Sequence, residues 1–255
     1  MLRKFIQPLL TFIRWGICHT DSGRKFTQFY KKTCDKRRRH RACMRLQRYG
    51  WEILERTDAA LKNKDTGYFV DYGTLLGLVR EKGFIRHDDD IDFSLPYGKL
   101  SPKDLLELML KNGFTFMRSF VWQGRVTEIT FLYKKIEVDF FYMFHDEDGC
   151  WFSLAYDTFV IENGVHVAKE VRRFDKPNHL DVVKRLIHGV NVAMPCAEAE
   201  VLEYTYGSTW MTPINNFKPG NDAKYDDLDH QRRIEGVARM YVTLDKFMEY
   251  LSGQS

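Results

Sequence analysis

Four carboxylates occupy five positions at Asp88-Asp89-Asp90-Ile91-Asp92, and an apolar run, Phe93-Ser94-Leu95, follows at once. Neighbouring carboxylates repel and raise one another's pKa, so a fold that gathers them needs a partner. A divalent cation bound through oxygen is the partner best able to hold them. The run is not an EF-hand loop, because Phe93 stands where that loop needs glycine. The ordinary alternative is a solvated acidic loop. Two features weigh against it: a glycine turn upstream, Tyr72-Gly73-Thr74, and a lone acid, Asp139, inside the apolar run Ile136–Phe141.

Alternate residues of a strand share a face, so Asp90 and Asp92 are expected to point together while Ile91 and Phe93 enter the core. Two carboxylates so placed can share magnesium, which prefers octahedral oxygen ligation and leaves positions open for substrate phosphates. Asp139 on a neighbouring strand would add a third carboxylate; otherwise it is a buried acid bonded to backbone amides. Gly73 permits close approach of backbone to a phosphate, and the following helix offers N-terminal amides to the anion. Arg80, about two turns on, would clamp a phosphate oxygen or else pair with the acids. His87 reads as a peripheral hydrogen-bonding residue, and His145-Asp146-Glu147-Asp148-Gly149 as a hairpin turn.

The elements that position these residues follow from periodicity and turn chemistry. A helix is expected over Trp51–Lys64, then a short buried strand, Tyr68–Tyr72, and a helical stretch, Leu75–Glu81. The next strand is Ile91–Leu95, stopped by Pro96. Ser101 caps a helix with Pro102 at its first position and Leu105, Leu106, Leu108, Met109 and Leu110 as its apolar face. Strands are expected at Thr115–Trp122, Arg125–Tyr133 and Ile136–Phe144, and a hairpin at Trp151–Ile161 and Val165–Phe174 around Asn163-Gly164. Helix resumes at Ala197–Tyr206 and Gln231–Leu251, across a loop over Thr212–Asp227. This order implies an α/β (α+β) domain with a small mixed sheet flanked by helices.

The whole chain bounds the context. Its 255 residues can bury a real core, and 44% hydrophobic with 29% charged residues suits a soluble enzyme. Five scattered cysteines without a Cys-x-x-Cys pair argue against a disulfide framework or structural zinc and favour a reducing compartment. Residues 1–50 hold fourteen Lys or Arg against two Asp, a charge of +12, so the remainder carries −8. Such a basic arm suits an anionic surface. Leu2, Phe5, Ile6, Leu9 and Ile13 fall at helical spacing, but Lys4, Pro8 and Arg14 leave the stretch too short to span a bilayer. An amphipathic helix in the headgroup region, supported by Lys36–Arg39 and Arg41, favours membrane lipid over nucleic acid. The alternative is a helix packed on the body with a solvated basic face. The chain therefore divides into a basic helical arm, 1–50, broken near Asp21-Ser22-Gly23, and a catalytic domain, 51–255.

The string Tyr72-Gly73-Thr74-Leu75-Leu76-Gly77-Leu78-Val79-Arg80, then Gly83-Phe84-Ile85 and Asp88–Asp92, resembles the LicD/fukutin family. Val138-Asp139-Phe140-Phe141 and Leu202-Glu203-Tyr204-Thr205-Tyr206-Gly207, with Trp210 and Pro213, extend the resemblance to about residues 69–213. The resemblance implies a nucleotidyltransferase-like fold. It also implies transfer of a phospho-alcohol, such as phosphocholine or ribitol phosphate, from a CDP-linked donor to a hydroxyl of a cell-surface glycan or its lipid-linked precursor. Mg2+ or Mn2+ would serve as cofactor. On that pattern Asp90 and Asp92 are metal ligands, and Asp139 is a third ligand or the base. Tyr72, Gly73, Thr74 and Arg80 form the donor site. Thr74 replaces the Ser or Gly of the wider fold, and fifteen residues separate it from Asp90, which favours the LicD branch. The expected setting is cytoplasmic, peripheral on the inner face of the cell membrane. The rival expectations are transfer of NMP from an NTP to a small molecule or protein, and a non-catalytic membrane-surface binding protein. Tyr206 and Trp210 would stack on a base or sugar, or merely close a helix end against the core.

Overall fold

A computed structural model of the chain describes residues 21–62, 64–213 and 230–254, with side chains from Arg38 onward. The apolar stripe of the first twenty residues, Asn63 and most of the 212–227 loop lie outside these. The elements in chain order are α1 (Asp21–Leu61), β1 (Phe69–Val70), α2 (Tyr72–Leu76), a π-helical turn (Gly77–Glu81), β2 (Asp90–Pro96) and α3 (Pro102–Lys111). Strands β3 (Thr115–Trp122), β4 (Arg125–Tyr133), β5 (Ile136–His145), β6 (Trp151–Glu162) and β7 (Val165–Lys176) follow. The chain then forms a hairpin, β8 (Val182–Ile187) with β9 (Val190–Pro195), and α4 (Glu198–Tyr206). It ends with β10 (Gln231–Ile234), β11 (Ala238–Tyr241) and α5 (Leu244–Ser252). The class is mixed α/β, with a core dominated by sheet.

That sheet is larger than the small one expected. Nine strands run in the order β1-β2-β5-β4-β3-β11-β7-β10, and β6 bridges β5 to β7. The bridge closes β5, β4, β3, β11, β7 and β6 into a ring, which leaves those strands without a free edge at the junctions. Only β2 and β5 pair in parallel; the other pairings are antiparallel. The expected C-terminal helix over Gln231–Leu251 is corrected. Residues 231–234 and 238–241 are strands docked on β7 and β3, and only Leu244–Ser252 is helical. Pairing with open strands outweighed a helical spacing that tertiary context readily overrides.

Strand parity sorts this sheet into two faces. Phe93, Phe140 and Ile129 are successive partners across β2, β5 and β4, and all are buried. Phe93 and Phe140 stack at 5.0 Å, with Phe131 edge-on to Phe140 at 5.8 Å. Each buried ring stabilises the fold by about 1.5–3 kcal/mol relative to exposure. Helix α3 covers part of the core through Leu105, Leu106 and Met109; its Ser101 cap accepts from Asp104 N, with Pro102 in the first turn. The opposite face carries the polar row described below.

Helix α1, Asp21–Leu61, passes position 50 without interruption. Cys43, Leu46, Ile53, Leu54 and Leu61 are buried on both sides of the expected arm boundary. The β8–β9 hairpin, for which no elements were expected, leans on α1 through Trp51 and His188, 4.6 Å apart, and through Lys184 Nζ, 2.5 Å from Asp58. Among the described residues, no helix is long and apolar enough to cross a membrane.

The π-helical turn follows α2 directly and leads into the loop before the aspartates; such turns recur near functional sites. Gly77 permits it, since a Cβ there would lie 2.6 Å from the Gly83 carbonyl oxygen and 3.0 Å from the Ile85 nitrogen. Both are main-chain atoms, so Gly77→Ala must displace the loop. A loss of about 1–3 kcal/mol is expected, measured as a lower urea midpoint with unchanged slope. A midpoint equal to wild type would show that the loop yields freely.

Candidate active site

The parallel β2–β5 pairing sets Asp92 directly opposite Asp139. The register continues to Thr130 on β4 and Arg118 on β3, so Asp92, Asp139, Thr130 and Arg118 form one row across four strands. Asp90 stands two residues before Asp92 on the same face, as alternation requires. Carboxylate oxygens of Asp90, Asp92 and Asp139 all lie within 4.8 Å of one another, and so do those of Asp88, Asp89 and Asp90. The strands thus force together acids that repel.

Burial makes the repulsion severe. Asp92 and Asp139 are 9% and 4% exposed. Desolvation, then the charges of Asp90 and Asp139, drive the Asp92 carboxyl well above its usual range. Burial likewise raises Asp139 to about 7, although Arg118 pulls it down. Asp90 is raised well above its usual range by burial and then by Asp88, and Asp88 itself rises to about 6, chiefly by burial. Glu128, one step along the β4 face, is raised by burial to about 8. Such a donor set of hard oxygens, short of compensating charge, fits a divalent cation.

Arg118 is the one guanidinium that the row itself supplies. It lies 2.8 Å from Glu137, 3.6 Å from Asp139 and 3.9 Å from Glu128. The Thr130 hydroxyl is hydrogen-bonded to Asp139 Oδ1 and lies 3.1 Å from Glu128 Oε1. Sequence reasoning missed Arg118, Glu128 and Thr130. The signal was present for the two charged residues, each with apolar residues close by on both sides inside its strand, much as Asp139 has.

The glycine turn serves the aspartates directly. A Cβ on Gly73 would fall 2.6 Å from Asp88 Oδ2, so the missing side chain makes room for that carboxylate. Thr74 is buried, and its hydroxyl accepts a hydrogen bond from Asp92 N at 2.9 Å, which anchors β2 rather than facing the cleft. The first amide of α2, on Tyr72, donates to Asp71 at 2.8 Å. Tyr72 adopts a left-handed backbone, φ 44°, costly for an aromatic residue. Its phenol meets Ser153 Oγ at 2.5 Å, and Lys176 Nζ lies 4.2 Å from its ring.

Lys176 and Asp71 form a wholly buried ion pair at 2.6 Å, with Asp71 also accepting from Ser94 at 2.6 Å. The pair ties the end of β7 to the start of α2 and to β2 behind the turn.

Two cavities open on this floor, and Gly73, Asp88, Asp90 and Tyr206 line both. One, about 380 Å³, carries charges of both signs, with Arg39, Arg80, Arg86 and His87 beside Trp210 and with Glu81 and Asp88–Asp90. Arg80 donates to the Trp210 carbonyl at 3.2 Å and to Glu81 at 2.8 Å, so it stands on the wall rather than on the acids. The other, about 320 Å³, is lined by Asp92, Phe141, Tyr156, Asp157, Phe174 and Gln231 among others. Of the residues singled out from sequence, Tyr72, Gly73, Asp90 and Asp92 line one or both cavities, and Asp139 meets them beneath.

An acid whose folded-state pKa exceeds its unfolded value holds its proton more tightly in the folded chain, so stability falls as pH rises between the two. With Asp88, Asp139 and Glu128 at about 6, 7 and 8, metal-free protein should lose thermal stability between about pH 5 and pH 8. Asp92→Asn should reduce that loss, and Mg2+ should restore the wild type but not the variant. A Tm that rises through this window would contradict the description. Separately, Lys176→Met should cost about 3–5 kcal/mol by stranding Asp71, and Asp71→Asn/Lys176→Met should recover part of it. Urea denaturation of the three proteins measures this; a double variant no better than the single one would argue against the pair.

The family described as LicD/FKTN/FKRP, nucleotidyltransferase domain, matches residues 65–197, which include Gly73, the aspartate run and Asp139 but neither α1 nor the β10–β11 strands. The chain is also 23% identical over 169 residues to the Mus musculus protein named ribitol-5-phosphate transferase FKTN. That alignment takes in 65% of this chain and 34% of the mouse protein, so the chain spans about a third of that relative's length. This chain belongs to the LicD/FKTN/FKRP nucleotidyltransferase-domain family.

Proposed function

We propose that this protein is a metal-dependent phosphotransferase that moves a phospho-alcohol from a CDP-linked donor to a hydroxyl of a glycan or its lipid-linked precursor. The observation that carries the proposal is the trio Asp90, Asp92 and Asp139, gathered within 4.8 Å on a floor shared by two cavities. A two-substrate transfer needs this arrangement, with one reactant on each side of a common centre. The name of the mouse relative supports ribitol phosphate as one candidate cargo.

In this mechanism Asp90, Asp92 and Asp139 would hold Mg2+ or Mn2+. When bound, the cation neutralises the diphosphate and the charge that develops on the leaving CMP. Arg80 and Arg86 line the first cavity and would offer guanidinium groups to a diphosphate beside the acidic floor. Phe141, Tyr156 and Phe174 offer apolar faces in the second cavity, where Gln231 and Asp157 add polar atoms suited to a sugar acceptor. Asp139 Oδ1 is committed to Thr130, so Oδ2 is the oxygen that would serve as ligand or take the acceptor's proton. Arg118 keeps that carboxylate oriented. The fold reading that accompanies the proposal is nucleotidyltransferase-like, elaborated by the closed sheet. The basic residues of 1–50 would hold the cleft against an anionic membrane surface that carries the acceptor.

The test is to incubate the protein and Mg2+ with a panel of CDP-alcohols and glycan acceptors and to assay the nucleotide product. Release of CMP, reduced by about 100-fold or more in Asp92→Asn, is expected. Pyrophosphate released from an NTP instead would replace this proposal with nucleotidyl transfer, and activity undiminished in Asp92→Asn would overturn the metal site.

A further inference from the structure

One face of α1 runs alongside the loop that enters the aspartates. Arg39, Cys43, Gln47 and Gly50 recur at intervals of four, four and three, which places them on one stripe of a helix. Gln47 and Gly50 touch the loop directly. A Cβ on Gly50 would come within 2.5 Å of the Phe84 ring, so the helix and loop are in close contact there. Gln47 Nε2 donates to the carbonyls of Phe84 and Ile85 at 3.1 and 3.2 Å. Buried Cys43 feels the charges of Asp89 and Asp88. Arg39, next on the stripe, lines the first cavity with Arg80, Arg86 and the aspartates.

We infer that Arg39 is a substrate-binding residue of the catalytic cleft, which grips the diphosphate of a nucleoside-diphosphate donor from a helix outside the family-matched region. The inference rests on the proposed reading of the cleft as a phosphoryl-transfer site. The matched region begins at residue 65, so no property of that region assigns Arg39 a role. The cavity sets Arg39 among charged residues of both signs. It holds three arginines and a histidine on its walls, while its floor is acidic. Arg80 is already bonded to Glu81 and to the Trp210 carbonyl, which fixes it as a wall. Arg39 sits on the exposed rim, free of the constraint that burial imposes, and its planar guanidinium matches a phosphate bidentately.

This assignment changes what the basic segment does. Part of it is a wall of the active site, and Cys43 and Leu46 belong to the core, so removal of residues 1–50 would damage the fold rather than isolate a membrane role. Point substitution of Arg39 is the appropriate probe, since the side chain is exposed and its replacement leaves the Gln47 and Gly50 contacts in place.

Full-length wild type, Arg39→Ala and Arg39→Lys are compared by calorimetric titration with CDP in the presence of Mg2+, and with inorganic pyrophosphate in the same buffer. Mg2+ alone is followed by thermal shift. Arg39→Ala is expected to weaken CDP binding about tenfold or more, Arg39→Lys less so, and the Mg2+ response is expected to stay as in wild type. CDP binding equal to wild type in Arg39→Ala overturns the inference and leaves the proposed function standing. Wild type that binds pyrophosphate through Arg39 but not CDP keeps the phosphate role and removes the cytidine donor. Wild type that binds neither overturns both. A loss of Mg2+ response in parallel with CDP binding would show Arg39 acting only through the acidic floor, against the inference.

Discussion

The parallel pairing of β2 with β5 is the constraint on which the rest of this molecule depends. It sets Asp92 opposite Asp139 and, in the same register, stacks Phe93 on Phe140 beneath them. The apolar row drives the pairing, and the polar row is carried along by strand parity. Two carboxylates at about 5–10% exposure would not choose each other in isolation. They are adjacent because the residues one step along each strand are phenylalanines that bury. The repulsion left over is what gives the site its affinity for positive charge, supplied in part by Arg118 and otherwise open to a cation.

Several contacts keep this arrangement from relaxing. Asp71 N bonds to the Asp92 carbonyl at 3.0 Å and Thr74 Oγ1 receives the Asp92 amide, so the α2 turn clips both main-chain groups of the key aspartate. Lys176 holds that turn from the far side through Asp71, and Tyr72 accepts a left-handed conformation between them. The ring closure of the sheet brings Lys176, at the end of β7, to Asp71, which also accepts from Ser94 of β2. A long-range pairing of this kind has no local sequence signature. It was therefore invisible until the topology was known.

What could be read from sequence was what local physics decides. Helix Pro102–Lys111 carries its own cap and apolar stripe, and strands β3 and β4 begin and end where alternation and the Gln123-Gly124 and Lys134-Lys135 turns require. The aspartate cluster was legible because parity in β2 and a lone acid in β5 are both local patterns. Residues whose placement depends on a partner were not. Thr74 looked like a phosphate ligand and instead anchors Asp92. The 231–241 segment has helical spacing but is captured by open strands. Arg118 and Glu128 lay in apolar strands as plainly as Asp139, yet a cation and an acid in separate strands reveal their pairing only when the register is known. Arg39 belongs to a basic run that charge alone assigns to a surface, and only the course of α1 along the 84–89 loop brings it to the cleft.

The central claim is that Asp90, Asp92 and Asp139 form a divalent-cation site. Its most direct measurement is equilibrium binding of Mn2+, followed by the loss of the free-ion electron paramagnetic resonance signal, for wild type, Asp92→Asn and Asp139→Asn. Saturable binding by wild type that is competed by Mg2+ and lost in both variants is the predicted result. Binding that persists undiminished in both variants, or its absence from wild type, would contradict the account.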